Sequence, residues 1–205
     1  MGQTNGMEDD ILLKEAEQLK AAITADRRTL HQNPEAGPDL PETAAYVKRR
    51  LEEMGYAPRD LAGGVTADIT GADTGRCILL RADMDALRIR EETGLEFRSE
   101  NGNMHACGHD GHAAILLNSV RLLCRRREEL CGELRFIFQH AEETPPGGAV
   151  EVIRAGVLKG VDEVLGLHLT STLPTGRFGV CSGVLTSATD RFEIEITGRG
   201  GHSSM

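Results

Sequence analysis

Apolar residues recur at helical intervals from the start of the chain. Leu12, Ala16, Leu19 and Ile23 fall at i, i+4, i+7 and i+11, which predicts an amphipathic helix over 8–32. The pattern stops at Asn33-Pro34, as a residue before proline is steered out of the helical region. Pro41 suits a first helical turn, and Val47, Leu51 and Met54 then mark a second helix that closes at Gly55. Beyond it the period changes. Val65, Ala67 and Ile69 alternate, as in a half-buried strand over 64–70, and the continuous apolar run 77–82 suits a central strand. A polar stretch rich in Glu, Asn, Gly and His occupies 88–111. Ala113, Leu116, Leu117, Val120 and Cys124 then share one face of a helix over 112–127. Strands over 133–139, 163–169 and 177–182, a short helix over 148–156, and a last alternating strand through Phe192, Ile194 and Ile196 complete the reading.

Helices alternating with strands, several of them continuous apolar runs, specify an α/β layer fold with a mixed or largely parallel sheet. In such sheets functional residues gather at strand ends and in the loops that follow them. The length of 205 residues allows one domain and a remainder, at about 150 residues per domain.

Composition narrows the partners. The net charge is −9, from 23 basic and 32 acidic residues, so the chain lacks the basic footprint of a nucleic-acid binder or of a protein docking on anionic lipid. Aromatic residues make up 3%, with no Trp, which leaves no stacking platform for bases. The Arg125-Arg126-Arg127 run falls at a predicted helix C-terminus, where cations suit the dipole. No apolar run approaches the ~20 residues of a membrane span. The opening MGQTNGMEDD lacks the basic and apolar regions of a secretory leader. Five cysteines, odd in number and without a C-x-x-C pair, fit reduced thiols in a cytoplasm. These features predict a cytoplasmic protein that binds neither nucleic acid nor membrane.

Candidate chemistry is concentrated. His105, Cys107, His109, Asp110 and His112 stand within eight residues. Thiolate and imidazole together suit zinc or a similar first-row metal; the alternative is a helix-capping segment with Asp110 as the cap. Glu142 and Glu143 follow strand 133–139, where one carboxylate can bind a metal while its neighbour stays free as a base. Alone, such a pair reads as solvated charge. His168 ends an apolar strand, as a ligand or as a hydrogen-bonded core residue. Asp83 and Asp85 follow strand 77–82 on one face, as ligands or as supports that orient them. His202 sits in a Gly-rich turn, where a plain loop histidine is the alternative. His31 and His140 have no assigned ligand partner and read as structural or supporting. Cys77, Cys124, Cys131 and Cys181 read as small buried apolar residues.

Five ordered segments resemble a known family: RADMDAL at 81–87, MHACGHDGH at 104–112, RFIFQHAEE at 135–143, GLHL at 166–169 and GRGGHSS at 198–204. RRTLHQNPE at 27–35 extends the likeness. They look like the N-acyl-amino-acid amidohydrolases, including hippurate hydrolase and the indole-acetyl-amino-acid hydrolases, within the carboxypeptidase-G-like metallopeptidases. The departures are His140 and Leu87-Arg88, where many relatives have Pro and Leu-Pro.

The resemblance implies a three-layer α/β sandwich with a mixed, mostly parallel central sheet, and the start of a smaller α+β lid and dimerisation domain. It implies two divalent ions, zinc or manganese, with cobalt or nickel as alternatives. Cys107 (the bridging ligand), His109, Glu143 and His168 would hold them, Glu142 would be the general base, and Asp85 would support the site. His202, on the lid, would reach the substrate in the partner subunit of a homodimer. Family members are longer, two-domain chains. Residues 1–186 would then be the catalytic domain without its C-terminal part, and 187–205 the first strand and turn of the lid. The implied reaction is hydrolysis of N-acyl-L-amino acids. The alternatives are a di- or aminopeptidase on the same site, or an inactive metal-binding fragment.

Overall fold

The computed structural model describes residues 5–186 and 192–204. The chain divides into two units, 1–170 and 171–205. The first contains helices α1 (Asn5–Gln18), α2 (Lys20–Gln32) and α3 (Pro41–Glu53), then strands β1 (Arg59–Leu61), β2 (Gly64–Thr70) and β3 (Asp73–Asp83). These are followed by α4 (His109–Cys124), β4 (Cys131–Gln139), α5 (Gly148–Arg154) and β5 (Glu163–Gly166). The strands lie in the order β1-β2-β4-β3-β5. β3 is parallel to both β4 and β5, whereas β2 is antiparallel to β1 and β4. Four strands therefore share a direction and only β2 opposes them, giving the mixed, mostly parallel sheet that the alternating pattern predicts.

Pleating sorts the side chains. Val65, Ala67, Ile69, Phe136 and Phe138 bury one face of the sheet under Leu30, Val47, Leu51, Ala113, Leu117 and Val120 of the α2–α4 layer. Leu79 and Ile137 bury the other face under Val152 of α5 and Val157 just past it. Helices thus cover both faces, as mostly parallel sheets require.

The predicted helix 8–32 is interrupted at Leu19, whose N–H bonds three residues back to the Ala16 carbonyl and tightens one turn. Helix α4 starts three residues before its expected position. Gly108, at φ 102°, turns the chain, so His109, Asp110 and Gly111 become buried helical residues instead of loop residues. Strand β1 has only three residues, too few for a period to show.

The second unit has no helix or strand among its described residues. The strands expected at 177–182 and through Phe192, Ile194 and Ile196 do not form. Phe178, Val180, Phe192 and Ile196 are at least 85% exposed. Alternation makes a strand only where another strand supplies hydrogen bonds, and none lies beside these residues in the described part of this unit. The expected domain boundary at 186/187 falls at residues 187–191, outside the described set. Cys131 and Cys181 are exposed instead of buried: Cys131 opens β4 at its solvated end, and Cys181 lies in the extended unit.

Buried polar ties join the layers. Asp26 of α2 accepts hydrogen bonds from Tyr46 Oη at 2.7 Å, Arg50 Nε at 2.9 Å and Asn118 Nδ2 at 2.8 Å, linking α2, α3 and α4. Asp83, at the end of β3, lies 2.6 Å from His112 Nδ1 of α4. Burial alone would raise the Asp83 carboxyl; the bond from His112 and the Arg81 guanidinium outweigh it and hold it at about 2.

Two outcomes follow from this packing. Phe136 is fully buried at the centre of the larger cluster, so Phe136→Ala should cost about 3–5 kcal/mol, read from the shift in denaturation midpoint. The depressed Asp83 carboxyl stabilises the fold fully above its ordinary value of 3.8, and that stability is lost as pH falls through about 2. Asp83→Asn should therefore cost roughly 2 kcal/mol at neutral pH, with the gap to wild type closing in acid denaturation near pH 2. A gap that stayed constant with pH would contradict this assignment.

Candidate metal centre

The parallel register of β3 and β4 pairs Asp83 with Gln139, so the two strands end side by side. Met84 N–H still bonds to the Gln139 carbonyl at 2.9 Å, and Asp85 follows it beyond the sheet. From the end of β4 the chain runs through Ala141, at φ 48°, into Glu142 and Glu143. The backbone N–H groups of both glutamates donate to the two carboxylate oxygens of Asp85, each at 3.0 Å. One buried carboxylate thus fixes the turn that carries the glutamates. Burial would raise Asp85, but hydrogen bonds from His109 and from these two N–H groups hold it low.

Asp85 also orients His109. The His109 Nδ1 atom lies 2.9 Å from the Asp85 main-chain carbonyl. A carbonyl only accepts, so Nδ1 carries the hydrogen and Nε2 is the free position of the ring. That Nε2 is buried and has no hydrogen-bond partner. Asp83 Oδ2 lies 3.7 Å away, and Glu142 Oε2 and Glu143 Oε1 each lie 3.8 Å away. An orphaned imidazole nitrogen facing three carboxylates is a position that favours a cation, whether a proton or a metal that competes with it. Burial lowers the His109 pKa, but Asp85, Asp83 and Glu142 outweigh it and raise the net value.

His168 approaches from beyond β5. Its Nδ1 lies 2.6 Å from the Leu169 carbonyl, which leaves Nε2 facing Cys107 Sγ at 3.3 Å. The Cys107 thiol is pushed up to about 12 by burial and by Glu143, Glu142 and Asp83. A thiol in that setting becomes a ligand only by exchanging its proton for a metal.

Two sets of donor atoms form, within each of which all atoms lie within 4.8 Å of one another: Cys107, His109 and His168, and His109, Glu142 and Glu143. They share His109. Thiolate, imidazole and carboxylate in this combination fit zinc or a similar divalent ion. The two glutamates are equidistant from His109, but the Glu142 side chain is 42% exposed and that of Glu143 is 23% exposed. In a third set, Asp83, His109 and His112, Asp83 and His112 are already hydrogen-bonded to each other at 2.6 Å. Its His112 Nε2 already accepts the Leu169 N–H at 2.8 Å.

The remaining residues singled out in the sequence are placed as follows. Asp110 does not cap α4. It lies inside the helix and accepts from Arg27 Nε at 2.7 Å and from His31 Nδ1 at 2.8 Å, while His31 Nε2 faces Glu91 at 3.1 Å. Arg27 and His31, four apart, fall on one face of α2, but nothing in the sequence marks Asp110 as their shared partner or Glu91, in the polar stretch, as buried. His140 is tied to Glu151 of α5 at 2.9 Å. His105 is buried with neither ring nitrogen paired, and burial pushes it down to about 4. His202, in the second unit, bonds locally to Ser204. Among the described residues, no helix is long and apolar enough to cross a membrane.

Residues 79–204 match the model of peptidase family M20/M25/M40. The chain is 46% identical over 192 residues to an N-acyl-L-amino acid amidohydrolase of Geobacillus stearothermophilus, covering 92% of this chain and 52% of that protein. It is 45% identical over 190 residues to an N-acetyl-L-cysteine deacetylase of Bacillus subtilis, covering 91% and 45%. The chain thus spans about half the length of the curated relatives it matches. A Bacillus subtilis crystal structure described as a dinuclear metal binding peptidase superposes with a TM-score of 0.73 at 43% identity, over 77% of this chain and 45% of that one. With its strand-end donor cluster and a family match across more than half its length, the chain belongs to the M20/M25/M40 peptidase family.

Proposed function

We propose that the intact protein hydrolyses the amide bond of N-acyl-L-amino acids with two divalent metal ions, zinc or manganese. The observation that carries this reading is His109 Nε2, which is buried, free of any hydrogen bond, and set between both glutamates and Asp83. The relatives named N-acyl-L-amino acid amidohydrolase and N-acetyl-L-cysteine deacetylase supply the substrate class. A reducing cytoplasm suits a site that depends on a free Cys107.

Cys107, His109, Glu143 and His168 would hold the ions. When bound, the ions polarise the substrate carbonyl and acidify water. Glu142, the more exposed glutamate, takes the proton of the attacking water and returns it to the leaving amine. Asp85 keeps both glutamates in place by their backbone N–H groups, so Glu142 can change charge without moving its turn. His202 would contact the substrate carbonyl or carboxylate from a lid over the partner subunit's site in a homodimer. The products are a carboxylic acid and a free amino acid.

A panel of N-acetyl-amino acids, hippurate and unblocked dipeptides tests the substrate class in the intact protein. Faster turnover of the acylated substrates is expected, and a preference for dipeptides would replace this reading with a peptidase. The glutamates should separate under mutation. Glu142→Gln should keep its metal and lose turnover by roughly 10²- to 10⁴-fold, the ordinary worth of a general base. Glu143→Gln should lose bound metal, measured by elemental analysis after gel filtration. The opposite pattern would exchange their roles.

A further inference from the structure

β5 is an edge strand of the sheet and is exposed along its whole length. His168 lies two residues past its end and is itself exposed. A ring on such a segment needs something other than the sheet to aim it. The next residue, Leu169, is held from the α4 side in two ways. Its N–H donates to His112 Nε2 at 2.8 Å. Its side chain lies against the glycines of the α4 start: a Cβ on Gly111 would come within 2.5 Å of Leu169 Cδ1, and one on Gly108 within 3.5 Å of Leu169 Cβ. The Leu169 carbonyl in turn accepts from His168 Nδ1 at 2.6 Å.

The direction of these bonds is fixed. A backbone N–H can only donate, so His112 Nε2 is the acceptor and His112 Nδ1 carries the hydrogen. That hydrogen goes to Asp83 Oδ1 at 2.6 Å, and Arg81 holds the other Asp83 oxygen at 2.6 Å. The His112 ring also meets the His168 ring edge-on, with centroids 4.7 Å apart. A continuous chain of donation therefore runs from His168 through the Leu169 backbone and His112 to Asp83, where Arg81 donates to the other carboxylate oxygen.

We propose that His112 is a positioning residue: by accepting the Leu169 N–H it aims His168 Nε2 at Cys107 Sγ, so that His168 shares a metal with Cys107 and His109. This rests on the reading of His168 as a ligand. His112 touches no metal in this account, because both its nitrogens are already committed. Gly111 has the complementary task of leaving room for Leu169.

The test uses cobalt as the probe, with thiolate-to-cobalt absorption as the readout and chelator competition giving affinity. Wild type, His168→Ala, His112→Phe, His112→Gln, Gly111→Ala and the His112→Phe/His168→Ala double variant are compared, with far-UV circular dichroism reporting the fold. His168→Ala should weaken cobalt binding, and His112→Phe should weaken it on the order of 10- to 100-fold, as loss of an outer hydrogen-bond partner does. His112→Gln, which retains an acceptor, should recover part of the loss. In the His168→Ala background, His112→Phe should add no further loss. Gly111→Ala should weaken binding although alanine favours a helix, and it carries the test if His112→Phe does not fold.

Full-strength binding by His112→Phe, or an equal loss with and without His168, would overturn the proposal and leave the ligand reading intact. Full-strength binding by His168→Ala, or no cobalt binding by wild type, would overturn the ligand reading and this proposal with it.

Discussion

The two glutamates and His109 of the candidate centre depend on one buried carboxylate and its own main chain. Asp85 holds the backbone of Glu142 and Glu143 with its side chain and the ring of His109 with its carbonyl. It can do so because β3 and β4 are parallel and in a register that ends them together. Parallel pairing puts two chain ends on the same side of the sheet, and Asp85 turns that coincidence into a fixed constellation. The helix α4 then brings His109 to the same edge, since Gly108 permits the turn that starts the helix there.

The same geometry explains the electrostatics. Asp83 and Asp85 are held ionised by hydrogen bonds despite burial, and the glutamates add negative charge beside them. Burial and then their combined field raise the Cys107 thiol, while at the His109 ring the field outweighs burial and raises the net value. The carboxylates' part in both shifts marks a place where positive charge is favoured. A divalent ion answers that demand, and the donor types match what such an ion takes.

Much of this was legible in the sequence because the strands are continuous apolar runs and the chemistry sits at their ends. Strands β2 and β4 and helix α3 fall where the hydrophobic period puts them, and Cys107, His109, Glu142, Glu143 and His168 were singled out by residue type and position. The parts that were not legible depend on tertiary partners. Asp110 resembles a cap in one dimension, but in three it is the shared acceptor of Arg27 and His31. Glu91 is buried by a loop whose composition reads as solvated. His112 belonged to a dense histidine cluster, but which of its members would be ligands and which supports depends on the hydrogen bond each second nitrogen makes. Residues 177–182 and the Phe192–Ile196 stretch carry strand periodicity without a strand beside them among the described residues of their unit, so pattern alone does not make them strands.

The central claim is that Cys107 and the two imidazole Nε2 atoms meet at one ion. X-ray absorption at the zinc edge of the zinc-loaded protein tests it most directly. A sulfur neighbour at ~2.3 Å together with nitrogen or oxygen neighbours at ~2.0–2.1 Å is the predicted shell, with the sulfur signal lost in Cys107→Ser. A shell of nitrogen and oxygen alone in the wild-type protein would contradict the account.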